Sequence, residues 1–178
     1  MNAEALAHLK QLLEGQRVLS LAVVIDGEPH LGLLPYAVLP DHVGVLVHVS
    51  TLAKHTRGLA SGGPIAAMVH QSEEAVTDPL QVPRMTMQAE AIRLERGSAE
   101  YEAGKGRFLS RFPDAAVTFQ LEDFQLFELK FLHGRFVEGF ARATDITVTD
   151  LKAMGPPDPA RKLSGEMNQR RLWSIPRE

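Results

Sequence analysis

The feature that most constrains the fold of this chain is a series of short β-type runs, separated by turn residues and joined by helices that occur singly. In residues 43–49, valine at every second position predicts a strand with one face in a core. Because the helices do not alternate regularly with the strands, an antiparallel barrel or sandwich is favoured over a doubly wound sheet. Seven such runs occur, the last two flanking His133 and Gly134 as a terminal hairpin: 18–25, 30–38, 43–49, 65–70, 84–94, 124–132 and 135–140. Together they predict a barrel or sandwich of about six strands.

Two longer segments have helical spacing. Leucines at positions 6, 9, 12 and 13 lie on one helix face after Asn2, which is a candidate cap, and before Gly15, which is a candidate stop. Residues 98–112 also fit a helix. We therefore expect a mainly β domain with a few peripheral helices.

The composition excludes several classes of protein. The chain has 178 residues and 44% hydrophobic content, enough for one domain with a core, and its net charge of -3 gives no attraction to nucleic acid or to an anionic membrane. It contains no cysteine, which excludes disulfides, thiolate metal sites and a cysteine nucleophile. No apolar run is long enough to span a bilayer and the first residues are acidic, so we expect a cytoplasmic location.

Common catalytic signatures are also missing from the sequence. There is no GxGxxG or GxxxxGK motif, no nucleophile elbow, and no His/Asp/Glu cluster with metal-ligand spacing. We expect no bound metal ion, and each histidine outside residues 50–57 is interpreted as satisfied or solvated. Redox chemistry, if the protein performs it, would then require a cofactor.

Residues 50–59 have the pattern of an anion site. Ser50 or Thr51 can cap a short helix from about Leu52 to Leu59, whose first amides and dipole favour a phosphate. Lys54, His55 and Arg57 would add charge-assisted hydrogen bonds. The spacing is equally compatible with a simple cap, with Lys54 and Arg57 solvated.

Four segments of the chain stand in a distinctive order. They read Asp-Gly-Glu-Pro-His-Leu-Gly-Leu-Leu-Pro-Tyr-Ala-Val (26–38), Ser-Thr-Leu-Ala-Lys-His-Thr-Arg-Gly-Leu (50–59), Asp-Pro-Leu-Gln-Val-Pro-Arg-Met-Thr-Met-Gln-Ala (78–89) and Gly-Arg-Phe-Val-Glu-Gly-Phe-Ala-Arg-Ala (134–143). With the strand at 43–49, they closely resemble the pyridoxamine 5'-phosphate oxidase-like FMN-binding split-barrel family, nearest its haem-utilisation branch. The resemblance covers roughly residues 3–150.

The resemblance implies a six-stranded antiparallel split β-barrel with peripheral helices, working as a homodimer with one FMN in each of two interfacial clefts. The flavin phosphate would lie at the end of the third strand and on the following helix. The ring would meet backbone of the second strand, and the partner subunit would contribute residues of the fifth. The cofactor-binding residues implied are Leu34, Pro35, Tyr36, Val49, Ser50, Lys54, His55, Thr56, Arg57, Arg84 and Gln88.

The chain also departs from the family pattern. Glu138 and Ala141 stand where the near branch usually has glycine. Haem-degrading members can use a C-terminal histidine as an iron ligand, but no histidine follows His133 here, which disfavours iron binding by the tail. No side chain is identified as catalytic.

Three functions remain open from the sequence. The first is an FMN-dependent oxidoreductase with a small-molecule substrate or electron donor, in which the protein anchors and orients the flavin. The second is a haem-binding or haem-degrading protein of the same fold, or a module that stores or senses a cofactor without turnover. The third is a flavin-free interaction protein that keeps only the dimeric barrel.

The last part of the chain differs in composition from the rest. Prolines at 156, 157 and 159 precede several basic residues and a lone Trp173. We expect residues 1–150 to form the split-barrel domain and residues 151–178 to form an extended Pro/Arg-rich arm or to pack on a partner subunit.

Overall fold

Seven strands and four α-helices make up residues 1–156, which are the residues that the computed structural model describes. The predicted arm, residues 151–178, is described only in its first residues, which are not extended: residues 151–153 belong to the last helix, Val148–Ala153, and Leu151 is buried in the core. Its residues beyond 156 lie outside this part of the chain. None of the described helices is long and apolar enough to cross a membrane. In chain order the elements are α1 (Ala3–Gly15), β1 (Val18–Ile25), β2 (Glu28–Val38), β3 (Gly44–Ser50), α2 (Lys54–Ala60), β4 (Ile65–His70), β5 (Arg84–Leu94), α3 (Ala99–Arg111), β6 (Phe124–Gly139), β7 (Arg142–Thr147) and α4 (Val148–Ala153).

Six of the strands close into an antiparallel barrel, as predicted. Their order is β3-β2-β1-β4-β5-β6, and pairing of β3 with the first half of β6 closes the ring. The seventh strand, β7, pairs with the second half of β6. The first half of β2 pairs with β1 alone, because β2 meets β3 only at residues 36–38, and this leaves the barrel split along that stretch.

The barrel interior is filled by alternate residues of every strand. On β1, for example, Leu19, Leu21 and Val23 are almost fully buried, while the intervening residues face outward. On β5, Met85, Met87 and Ala89 are likewise core residues. Helix α1 packs against the barrel through Leu9, Leu12 and Leu13, and Asn2 caps it by accepting a hydrogen bond from the Ala5 amide at 2.8 Å, as predicted.

A second, smaller core lies outside the barrel wall. Helix α3 and two 3₁₀ turns at Pro113–Ala116 and Thr118–Gln120 cover the outer side of β3 and the first half of β6. Leu46 and Leu126 face this helix and are as buried as the barrel interior. Strand β3 is therefore buried on both faces.

The rest of the outer surface has no such cover in residues 1–156. We call it the open wall: the outward faces of the first half of β2, of β1, β4 and β5, and of the second half of β6. The cross-strand pairs form rows across it, such as Leu31, Ala22, Ala66, Gln88 and His133. A neighbouring row contains Leu33, Ser20, Met68, Thr86 and Arg135.

The predicted hairpin at His133 and Gly134 is wrong. Strand β6 runs without interruption from Phe124 to Gly139, and the chain reverses later, between Gly139 and Arg142. The break in alternation is a β-bulge instead: Ala89 pairs with Phe131 and Gln88 with His133, which leaves Leu132 as an extra residue. The bulge shifts the phase of β6, so that odd residues face the interior before it, whereas His133 and Arg135 face outward after it.

The predicted start and cap of the short helix after β3 are also wrong. Helix α2 begins at Lys54 rather than near Leu52, and its cap residue is Ala53, which has no side-chain acceptor. Ser50 instead accepts a hydrogen bond from the Leu52 amide at 3.2 Å, so its side chain stabilises the turn before the helix. Helix α2 is therefore shorter than predicted, with seven residues.

Candidate cofactor site

Ser50 and Thr56 hold the junction between β3 and α2 together. The Ser50 hydroxyl donates to Asp123 Oδ2 at 2.6 Å, and the Thr56 hydroxyl donates to the Ser50 carbonyl at 2.6 Å. Thr56 is buried, whereas Ser50 is half-buried. Both hydroxyl protons are therefore engaged within the chain, and neither is free to donate to a phosphate unless these bonds exchange.

Lys54 and Arg57 lie on one face of α2, three residues apart, and both are exposed. Arg57 approaches Asp26 at 3.8 Å, but both side chains are largely in water, at 68% and 87% exposure. Such a pair contributes little to stability, so the guanidinium is available to another anion. Either interpretation of this cluster, phosphate anchor or solvated cations, is compatible with this geometry.

His55 packs onto the second strand instead of pointing into solvent. A Cβ at Gly32 would come within 2.6 Å of its Nδ1, so only glycine leaves room for the ring there. Partial burial lowers the pKa of His55, which favours the neutral imidazole at neutral pH. His55 thus fixes α2 across the end of β2.

The three predicted residues of β2 divide between core and surface. Leu34 and Tyr36 point into the barrel, and the Tyr36 hydroxyl donates to the Leu13 carbonyl at 2.6 Å. Pro35 faces outward on the open wall. Any flavin contact at Leu34 or Tyr36 must therefore be made by backbone atoms. Val49 is likewise a core residue, with its side chain in the barrel.

Arg84 and Gln88 lie on the open wall, on β5. Arg84 donates to the Val82 carbonyl at 3.0 Å and is half-buried, whereas Gln88 is exposed. Arg84 pairs with His70, at the opposite end of β4 from Ile65, and about five residues of strand, roughly 16 Å, separate these two ends. Helix α2 packs near the Ile65 end, since Gly58 lies against Val23, which pairs with Ile65. One chain therefore does not bring Arg84 to the cations of α2.

The polarity of the side chains on the open wall changes across its width. Its β2 and β1 side is apolar: Leu31 and Leu33 are 80% and 68% exposed, next to Val18 and Pro35. The middle strand, β4, presents the half-buried Ala66 and Met68. The β5 and β6 side is polar: it carries Arg84, Gln88, His133 and Arg135 together with Glu90, and Arg135 donates to Asp145 of β7 at 2.6 Å. Interpretation of the sequence placed His133 in a turn and missed this surface, which only the register and the bulge reveal.

A separate recess lies between α1 and the end of β6. It encloses about 310 Å³ and includes Gln11, Phe136 and Arg142 in its lining. At its edge the ring of His8 contacts Glu138, with 2.7 Å between Nδ1 and Oε1. Glu138 is one of the two residues that depart from the family pattern.

No cluster in residues 1–156 has the composition of a metal centre, since no group of three or more His, Cys, Asp or Glu side chains converges there.

No family model matches the chain. Individual proteins of similar sequence or structure are found, however. The chain is 29% identical over 147 residues to the heme oxygenase HutZ of Vibrio cholerae, covering 80% of this chain and 81% of that protein.

Solved structures give the same fold. A heme binding protein from Mycobacterium smegmatis superposes with a TM-score of 0.76 at 24% identity, over 86% of this chain; this chain spans only 62% of that longer one. A pyridoxinephosphate oxidase family protein from Clostridium acetobutylicum gives a TM-score of 0.63 at 10% identity, over 85% of this chain and 99% of the other. The resemblance to the split-barrel family, near its haem-utilisation branch, is confirmed.

Proposed function

We propose that this protein binds haem between the open walls of two copies of the chain. The observation that carries the proposal is the composition of the open wall, which is apolar along β2 and β1 and polar, with Arg84 and Arg135, along β5 and β6. Haem has the same division, with an apolar planar macrocycle and two carboxylates at one edge. The names of the relatives in Vibrio cholerae and Mycobacterium smegmatis support this choice of cofactor.

The exposure of the apolar side of the open wall, along β2 and β1, supports pairing of two chains. Leu31 and Leu33 are among the most exposed large hydrophobic side chains of residues 1–156, and they lie side by side with Val18 and Pro35. A contiguous exposed apolar surface of this kind marks an interaction site. A second copy presents the same surface, and a two-fold dimer would cover both.

FMN is the second candidate, and a different observation favours it. Lys54 and Arg57 are two exposed cations on one face of α2, beside the first amides of that helix. They could anchor a flavin phosphate, with the ring against the backbone of Leu34, Pro35 and Tyr36 and with Arg84 and Gln88 supplied by the partner. The protein would then be an FMN-dependent oxidoreductase with a small-molecule substrate or electron donor.

Absorption spectroscopy separates the two candidates. Protein purified without added cofactor is titrated with haemin and, separately, with FMN. A Soret band that saturates near one haem per chain, with no perturbation of the flavin spectrum, would support the haem proposal. Saturable FMN binding without haem binding would overturn it in favour of the flavoprotein.

Variants test the FMN contacts directly. Loss of a charge-assisted bond to a desolvated phosphate costs about 1.5 to 3 kcal/mol, so Arg57→Ala should weaken FMN binding more than tenfold if Arg57 holds the phosphate. Arg93→Ala is the matched control, because Arg93 also forms an exposed ion pair, with Glu95 at 3.2 Å. Equal FMN affinity for both variants would exclude Arg57 as a phosphate ligand.

A further inference from the structure

The geometry points to His133 as the residue that binds the iron of haem on the open wall; this inference rests on the proposed function. The chain has seven histidines, all within the described residues. An iron ligand must face the bound macrocycle and must present an unprotonated ring nitrogen. The surroundings of the seven rings differ enough to separate them.

Five histidines do not face the open wall. His42 and His48 are buried, and each has one ring nitrogen engaged, by Glu14 at 2.7 Å and by Thr118 at 3.3 Å. His55 packs over Gly32. His30 lies opposite Val23, on the inward-facing side of β2, and His8 contacts Glu138 in the recess beside α1.

Two histidines remain, and both face outward. His70 ends strand β4, and its Nδ1 lies 2.8 Å from the carbonyl oxygen of the next residue, Gln71, which ties the ring to the end of the strand. His133 lies within β6, directly opposite Gln88, and neither of its ring nitrogens contacts another described residue. Within residues 1–156 both nitrogens of His133 are therefore free of partners, so that one can bind iron while the other bonds to water.

The surroundings of His133 fit a macrocycle with two carboxylates. In its row, the adjacent strands carry Gln88, Ala66 and Ala22, and strands lie about 4.8 Å apart, so two small residues follow at roughly 10 and 14 Å from His133. Because these alanine side chains are small, the surface above them is nearly flat, and a planar ring can extend over it. Arg135 lies two residues along the same face of β6, roughly 7 Å away. It pairs with Asp145 at 2.6 Å, but the two side chains are 55% and 80% exposed, so the remaining guanidinium donors could meet a propionate.

The bulge at Leu132 is what produces this arrangement. Without the extra residue, the odd positions of β6 would continue to face inward, and His133 would follow Phe127, Leu129 and Phe131 into the barrel. Bulges commonly serve to redirect a side chain. Here the redirected side chains are His133 and Arg135, one nitrogen donor and one cation on the same surface.

The test is haemin titration of the full chain and of three variants, read by absorption and by electron paramagnetic resonance. For His133→Ala we expect loss of the imidazole-bound iron signature, affinity at least about tenfold weaker, and recovery of the signature when free imidazole is added. His133→Cys should convert the signature to that of a thiolate ligand, because the chain has no other cysteine. Circular dichroism should show both variants folded, since the side chain is exposed.

His70→Ala is the control, since His70 is the other histidine of the open wall. An unchanged signature in His133→Ala, or its loss in His70→Ala alone, would overturn the inference while the proposed function stands. If the parent protein binds no haem, the proposed function fails and the inference fails with it. Loss of the signature in His133→Ala with its retention in His70→Ala would support both.

Discussion

The imidazole of His48 lies parallel to the ring of Phe119, with 3.7 Å between ring centroids and 5° between planes. Phe108 and Phe124 enclose the same ring from two other directions. The Thr118 hydroxyl donates to the Ala115 carbonyl at 2.8 Å, so its oxygen accepts from His48 Nδ1 at 3.3 Å and leaves Nε2 without a proton. Nε2 is buried and has no hydrogen-bond partner among residues 1–156.

This aromatic enclosure should make stability depend on pH. Burial, aided by the positive charge of Arg96, lowers the pKa of His48 to about 4. Between about pH 6.5 and pH 4 the unfolded chain binds this proton and the folded chain does not, so the free energy of unfolding falls as the pH is lowered through that range. Burial lowers the pKa of His55 as well, which acts in the same direction.

Urea unfolding of the parent and of His48→Leu, at about pH 7 and about pH 4.5, measures the effect. The loss of stability on acidification should be smaller in His48→Leu, because one proton-binding difference is gone. His70→Leu removes an exposed histidine and should keep the parent's slope. Identical slopes in all three proteins would contradict this assignment to His48.

Tyr36→Phe should destabilise the fold without changing cofactor affinity. The hydroxyl is buried and donates to the Leu13 carbonyl near the end of α1, so its removal should cost about 1 to 3 kcal/mol in free energy of unfolding. Tyr101→Phe, which removes another hydroxyl from a largely buried ring, is the reference. If Tyr36→Phe weakened cofactor binding at temperatures where it is folded, a side-chain contact to the cofactor would replace the backbone contact.

Leu33→Glu should convert a dimer to monomers. Leu33 is 68% exposed in the single chain, so the charge should cost little in the monomer, whereas in an apolar interface it would be buried without a partner. Leu80→Glu introduces the same change at a residue that is 62% exposed but lies in the 3₁₀ turn Pro79–Gln81, outside the strands that form the open wall. Sedimentation analysis that found both variants dimeric would rule out the open wall as the interface.

Two glycines should respond in opposite directions to alanine. A Cβ at Gly134 would lie 2.0 Å from the Thr86 carbonyl oxygen, a backbone atom that cannot move aside, so Gly134→Ala should destabilise by about 1 to 3 kcal/mol or more. A Cβ at Gly106, in α3, meets nothing within 4 Å, and Gly106→Ala should stabilise by up to about 1 kcal/mol. Thermal unfolding in which Gly134→Ala matched the parent would contradict the close approach of β5 and β6.

The same glycine shows where sequence patterns succeed and where they fail. Strands with strict alternation, such as β3, and helices with leucine at helical spacing, such as α1, are predictable because each pattern matches one face of one element. The dipeptide His133-Gly134 resembles a turn, since glycine is common in turns. In the structure Gly134 is there because the neighbouring strand leaves no room for a side chain, a reason that no local pattern contains.

For a related reason, the sequence did not predict strand β7. Of its six residues only Ile146 is buried, so it has almost no hydrophobic alternation, and pairing with β6 alone defines it. The sequence likewise does not predict the exposure of Lys54 and Arg57. Their spacing predicts that they share a helix face, but whether that face meets solvent, a phosphate or a second chain depends on how α2 packs.

The split in the barrel also bears on how the protein behaves at high concentration. A closed ring has no free strand edge, but the unpaired side of residues 28–35 in β2 and the outer side of β7 expose backbone groups to which another chain could add a strand. Prolines at 29 and 35 remove two amide donors from the first edge, and Arg142 and Asp145 place charges along the second. Both openings are thereby poor templates for β-aggregation, so self-association can proceed through a face while fibril-like growth from an edge is suppressed.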